Sequence, residues 1–137
     1  MNLSVDHAPG KVPVTIVTVT GDVDGSNYEA LIARARELYT AGTRHVLFDL
    51  SGVPYMSSAG LVALHSISRL LRGEPALDTT SGWEAYRTIA RETSRTALPY
   101  MKLLNPQPRV LRVLELSGLT TVYEIHTDRA AAIASFG

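Results

Sequence analysis

Ser57 and Ser58 stand side by side where an apolar run ends and a helical pattern begins. The segment reads Asp49-Leu-Ser-Gly-Val-Pro-Tyr-Met-Ser-Ser-Ala-Gly-Leu61. Phe48 and Leu50 finish the run, Gly52 and Pro54 break it, and either serine can cap the helix that starts there. A helix start carries amides without intrahelical partners, which a hydroxyl oxygen can satisfy. The same amides and the helix dipole also favour a phosphate. A serine here is therefore a plain cap, a phosphoacceptor or, with a base beside it, a nucleophile.

The nucleophile reading fails on geometry. His65 is the nearest histidine along the helix, seven residues after Ser58. That separation is about 10 Å of helical rise, whereas a nucleophile and its base need roughly 3 Å. No Gly-x-Ser-x-Gly elbow surrounds either serine. Metal chemistry is equally poorly served: His7, His45, His65 and His126 are scattered, with no HExxH spacing. His45 opens a strand pattern and His126 closes one, as edge or capping residues do. Asp22 and Asp24 are too few acids for a calcium loop and read as turn hydrogen bonders. No phosphate-binding lysine motif or glycine-rich dinucleotide motif is present, so no cofactor and no enzymatic activity are expected. Arg87, Arg91 and Arg95 share one helical face, a solvated one with Glu84 and Glu92 as helix partners. Trp83 and Tyr86 read as packing anchors.

The elements that must position the serines are legible from periodicity. Leu3 to His7 is a short strand candidate. Val12 to Thr20 is a stronger one, with Val14, Ile16, Val17 and Val19 among threonines as in a half-buried strand. Gly21-Asp-Val-Asp-Gly25 breaks the pattern. Ser26-Asn-Tyr-Glu29 has capping-box spacing, and Tyr28, Leu31, Ile32, Ala35, Leu38 and Tyr39 make the apolar stripe of a helix that Gly42 stops. Arg44 to Leu50 is a central strand. Gly60, Leu64, Ile67 and Leu71 repeat at helical spacing, and Gly60 permits close approach. The stretch from about 73 to 99 starts polar and then holds a second capping box, Ser81-Gly-Trp-Glu84, opening a helix to about Thr93. Tyr100 to Leu104 and Val122 to His126 read as strands, Arg109 to Leu116 and Asp128 to Phe136 as helices. Alternating strands and helices predict an α/β fold, a mixed sheet covered by helices.

Composition bounds the rest. The 137 residues fit a single domain over 1–137, and 45% apolar with 19% charged residues is ordinary for a globular chain. Zero formal net charge gives no global attraction to nucleic acid or anionic membrane. The absence of cysteine removes disulfides and thiolate chemistry and fits a cytoplasmic location. No secretory signal or membrane-spanning run is visible.

The element order, the Gly21-Asp22-Val-Asp24 turn, Asp49-Leu-Ser-x-Val followed by Met56-Ser-Ser-Ala-Gly-Leu61, and Pro108-Arg-Val-Leu-Arg-Val-Leu-Glu-Leu-Ser-Gly-Leu119 with Val122-Tyr-Glu-Ile125 together resemble a STAS domain. These are the bacterial anti-sigma factor antagonists. The resemblance covers most of the chain except an insertion at about 73–99. It implies a phosphoacceptor serine at the start of the second helix, after an aspartate, in Asp-Ser-Ser/Thr-Gly-Leu. That places the acceptor on Ser58, with Ser57 in the aspartate's place and Ala59 in the third position. It further implies binding to a serine-kinase anti-sigma factor and resetting by a metal-dependent phosphatase of the PP2C type. Asp22, Asp24, Ser57, Ser58, Ala59 and Gly60 are the expected partner-binding residues. A STAS-like scaffold or transport-associated subunit without phosphorylation is the alternative.

Overall fold

The computed structural model describes residues 1–73, 100–121 and 123–137. Five strands form one sheet in chain order: β1 (Asn2–Pro9), β2 (Pro13–Thr20), β3 (Val46–Gly52), β4 (Met101–Leu104) and β5 (Ile125–His126). β1 and β2 are an antiparallel hairpin, and each later strand is parallel to its predecessor. The described helices are α1 (Tyr28–Thr40), α2 (Ser58–Leu71), α3 (Pro108–Leu116) and α4 (Arg129–Ser135). The mixed, helix-covered α/β sheet expected from the sequence is therefore the one observed. The expected helix at 81–93, and with it Trp83, Tyr86, Arg87, Arg91 and the following Arg95, lies outside the described residues.

Strand alternation divides the core in two. Val17, Val19, Val46, Phe48, Leu50, Met101 and Leu103 face α1, α2 and α3. Val14, Ile16, Leu47 and Leu104 face the other way, onto Ala132 and Phe136 at the end of the chain. The second cluster corrects the half-buried reading of β2: α4 covers its far face, and even Thr15 is buried. α1 buries Leu31, Ile32, Ala35 and Leu38, the expected stripe. Gly42 then takes a positive φ of 112°, where a side chain would be strained. No described helix is long and apolar enough to cross a membrane.

Two local expectations change. Ser26 does not cap α1; its amide and hydroxyl both donate to the Asp24 carboxylate, and Asn27 takes the N-cap position without a side-chain capping bond. Asp24 wins because its side chain reaches an amide two residues on, an Asx turn that competes with helix capping. The last strand is also shorter than Val122 to His126. Leu119–Thr121 forms a 3-10 turn, and Tyr123 turns into the core at 1% exposure, so pairing with β4 starts only near Glu124.

Candidate functional site

The parallel strands β2, β3 and β4 all end on one rim of the sheet, and the loops that leave them meet there. The β2–α1 and β3–α2 loops are joined by backbone hydrogen bonds. Gly21 N donates to Gly52 O at 2.9 Å, Val23 N to Tyr55 O at 3.0 Å, and Ser57 N to Val23 O at 2.9 Å. Val23 and Met56 thereby form a parallel bridge outside the main strands. Both side chains are buried. This zipper fixes where α2 begins, because the residue that caps α2 is held by its own amide to the neighbouring loop.

Ser57 is that cap. Its Oγ accepts from Ala59 N at 3.2 Å, and its carbonyl accepts from Gly60 N at 3.0 Å. Ser58 is the first helical residue, exposed, with its hydroxyl outside the capping bonds. The two serines, interchangeable as caps in the sequence, are thus distinct in the fold. The capping role belongs to Ser57, and the Ser58 hydroxyl has no structural duty there. Two residues on, Gly60 is buried, and a Cβ at that position would run into Met56 Cγ and stand 3.2 Å from Val23 Cγ1. Its lack of a side chain lets α2 settle on the zipper. Ala59 is half-buried beside it.

The aspartates lie on the other half of the zipper. Asp24 accepts from Ser26, and these hydrogen bonds hold its carboxyl below the usual range. Asn27 braces the same loop: its Oδ1 accepts from Asp24 N at 3.0 Å, and its Nδ2 donates to Asp22 O at 2.9 Å. Asp22 is exposed. The structure thus brings Asp22 and Asp24 to the loop that is zipped to the Ser57–Ser58 helix start.

His65 does not join them. It is buried at 1% exposure, and its Nδ1 is 2.9 Å from Tyr123 Oη, which donates to Ser68 Oγ at 3.3 Å. His45 packs against the rings of Tyr100 and Phe136, and burial with the nearby Lys102 charge keeps its pKa below the ordinary histidine value. Among the described residues no three His, Cys, Asp or Glu side chains gather as metal ligands. What the sequence reading missed is the third loop of the rim. Gln107 Nε2 donates to Ser51 O at 2.7 Å, and the Arg109 guanidinium lies 5.8 Å from the Tyr55 ring centroid. The only local hint was Pro106 and Pro108 around Gln107, which fix a turn without saying what it touches.

The family model for the STAS domain matches residues 6–77, which run from β1 through the whole zipper and α2. The chain belongs to the STAS domain family. It is 27% identical over 136 residues, 99% of this chain and 95% of the other, to BtrV of Bordetella bronchiseptica, a proposed anti-sigma factor antagonist. Its fold is similar to a proposed anti-sigma factor antagonist from Thermotoga maritima (TM-score 0.69, 15% identity, covering 95% of this chain and 90% of that one). It is similar again to the Bacillus cell fate determinant SpoIIAA solved in its phosphorylated form (TM-score 0.60, 15% identity, 96% of each chain). At such identities the solved structures speak for the fold alone. Together these findings make the chain an anti-sigma factor antagonist-like STAS protein.

Proposed function

We propose that this STAS chain, acting as one domain, is an anti-sigma factor antagonist that binds a serine-kinase anti-sigma factor and is switched by phosphorylation of Ser58. The observation that carries the reading is the division of labour at the start of α2: Ser57 holds the cap, leaving the exposed Ser58 hydroxyl uncommitted. Near full-length similarity to BtrV supports the partner class. Unmodified, the rim of Ser57, Ser58, Ala59, Gly60, Asp22 and Asp24 docks the partner and so releases a sigma factor.

Phosphorylation adds roughly −1.5 to −2 charge. Ser58 opens a helix of 14 residues, so amides and dipole accommodate that charge without unfolding the element. The cost falls on the complex instead. A partner surface fitted to a neutral hydroxyl, next to the two aspartates, meets a dianion and releases. A metal-dependent phosphatase restores the hydroxyl. His65 takes no part in chemistry at this site, since its ring is buried against Tyr123.

The test is intact-mass and tandem mass analysis after incubation with ATP and the cognate serine kinase. One phosphate at Ser58, absent in Ser58→Ala and retained in Ser57→Ala, is the expected result. Tight kinase binding with no phosphate ever reaching Ser58 would overturn the switch and leave a STAS scaffold.

A further inference from the structure

Beside the serine, the rim carries a feature the switch does not need. Tyr55 is one of few large apolar side chains left exposed among the described residues, at 40%. It precedes the acceptor by three positions, and its carbonyl is held by Val23 N, so the ring leaves a fixed backbone. Arg109 is exposed on the first turn of α3, with its guanidinium over that ring. Its position is also fixed. Asn105 N donates to His126 O at 2.9 Å, Gln107 ties the turn to Ser51, and Pro108 occupies the first turn of α3. Across the three loops of the rim (residues 21–28, 52–58 and 105–109) Arg109 is the one basic residue, and Asp22 and Asp24 are the acids.

We infer that Tyr55 and Arg109 form the anchor by which the kinase partner is held, the partner presenting a carboxylate to Arg109 and an apolar recess to the Tyr55 ring. This rests on the proposed switch and extends it to a second loop. Tyrosine and arginine supply large contact area and dominate interface energetics where they are preordered. The stacked pair is preordered by two prolines and three hydrogen bonds in the unbound chain. The arrangement also separates two tasks. Ser58 reports the state of the switch, while Tyr55 and Arg109, whose charge does not change on phosphorylation, supply the standing affinity.

The experiment is calorimetric titration of the full chain with each purified serine-kinase anti-sigma factor of the source genome, with magnesium and a non-hydrolysable ATP analogue. Tyr55→Ala and Arg109→Ala should each weaken binding about tenfold or more, and Arg109→Glu about a hundredfold. Arg112→Ala, an exposed arginine on the same helix, should stay within about twofold. Circular dichroism melts should match wild type, since all three side chains are exposed. Equal affinity of wild type, Tyr55→Ala and Arg109→Glu would overturn the anchor while leaving the switch standing. Failure of every such kinase to bind wild type would overturn both.

Discussion

The two ends of the molecule that hold polar side chains use them in opposite ways. At the rim, Asp24, Ser26 and Asn27 are bonded within their own loop, Ser57 is bonded to its own helix, and Ser58 is left over in solvent. On the far face of the sheet Lys102 is 4% exposed and has no freedom at all. Its Nζ donates to Ser135 O at 3.0 Å and Ser135 Oγ at 2.9 Å, pairs with Glu124 at 3.0 Å, and lies 4.8 Å from the Phe136 ring centroid. A serine next to a lysine looks like a catalytic dyad in outline, but the Lys102 amine donates to Ser135 and is ion-paired with Glu124, an arrangement that holds the end of the chain in place. A buried group that changes charge must disturb folding, whereas an exposed one can change charge and disturb only a partner. The rim is therefore the end that can switch, and the Lys102 cluster is the end that holds.

Removing Lys102 should break this contrast most visibly. In Lys102→Ala the Ser135 carbonyl loses a charged donor, Glu124 loses its cation, and a cavity opens beneath α4. A loss of about 3 kcal/mol in urea unfolding is expected, because a buried charge network has lost its central member. Lys102→Met, which keeps the volume, should lose about half as much. Phosphate incorporation at Ser58 in the folded fraction should remain as in wild type. A stable Lys102→Ala chain, or one that folds but no longer accepts phosphate, would erase the distinction between a holding end and a switching end.

How far these two ends could be read beforehand differs for a physical reason. The rim lies where strand, turn and helix signals change over a dozen residues, so Gly52, Pro54 and the serines announced it locally. The resemblance then chose Ser58. The zipper that ties Val23 to Met56 joins residues 33 positions apart in the chain, and no local pattern encodes such a pairing. Lys102 was hidden more deeply still. Inside the strand pattern Tyr100 to Leu104 nothing singled it out, and its burial comes from Ser135 and Phe136 at the end of α4 returning to the far face. Tyr123 misled the strand assignment for a similar reason, since its β-forming ring serves a buried hydroxyl network with His65 and Ser68.

A finer test of the rim compares its two serines. Ser57→Ala removes the side-chain acceptor of the Ala59 amide and should cost about 1 kcal/mol of thermal stability. Ser58→Ala removes an exposed hydroxyl with no capping bond and should stay within about 0.5 kcal/mol of wild type. Differential scanning calorimetry of the unphosphorylated variants measures both. The reversed order, or equal losses, would mean that Ser58 carries structural weight and that modifying it must perturb the helix.

The smallest effect should come from acid, and it separates the two ends once more. The Glu124 carboxyl lies below the ordinary carboxylate range, first because Lys102 donates to it and then through the Lys102 and His126 charges. Asp24 lies below it as well, through its bonds to Ser26. A carboxyl whose folded pKa is depressed binds fewer protons folded than unfolded as pH falls through the usual range of about 4. Its contribution is therefore whole above the unfolded pKa and is lost as pH drops through the folded one. Glu124 is 46% exposed, so solvent screens the pair and the contribution should be only about 0.5 kcal/mol. Urea unfolding of Glu124→Gln from pH 7 down to about 2.5 should show a small deficit at neutral pH that closes on acidification. Asp24→Asn should close in the same direction while leaving α4 docked, since Asp24 bonds only within the rim. A Glu124→Gln deficit that widens in acid would place the Lys102 charge with some other partner and remove the reason for calling that face the holding end.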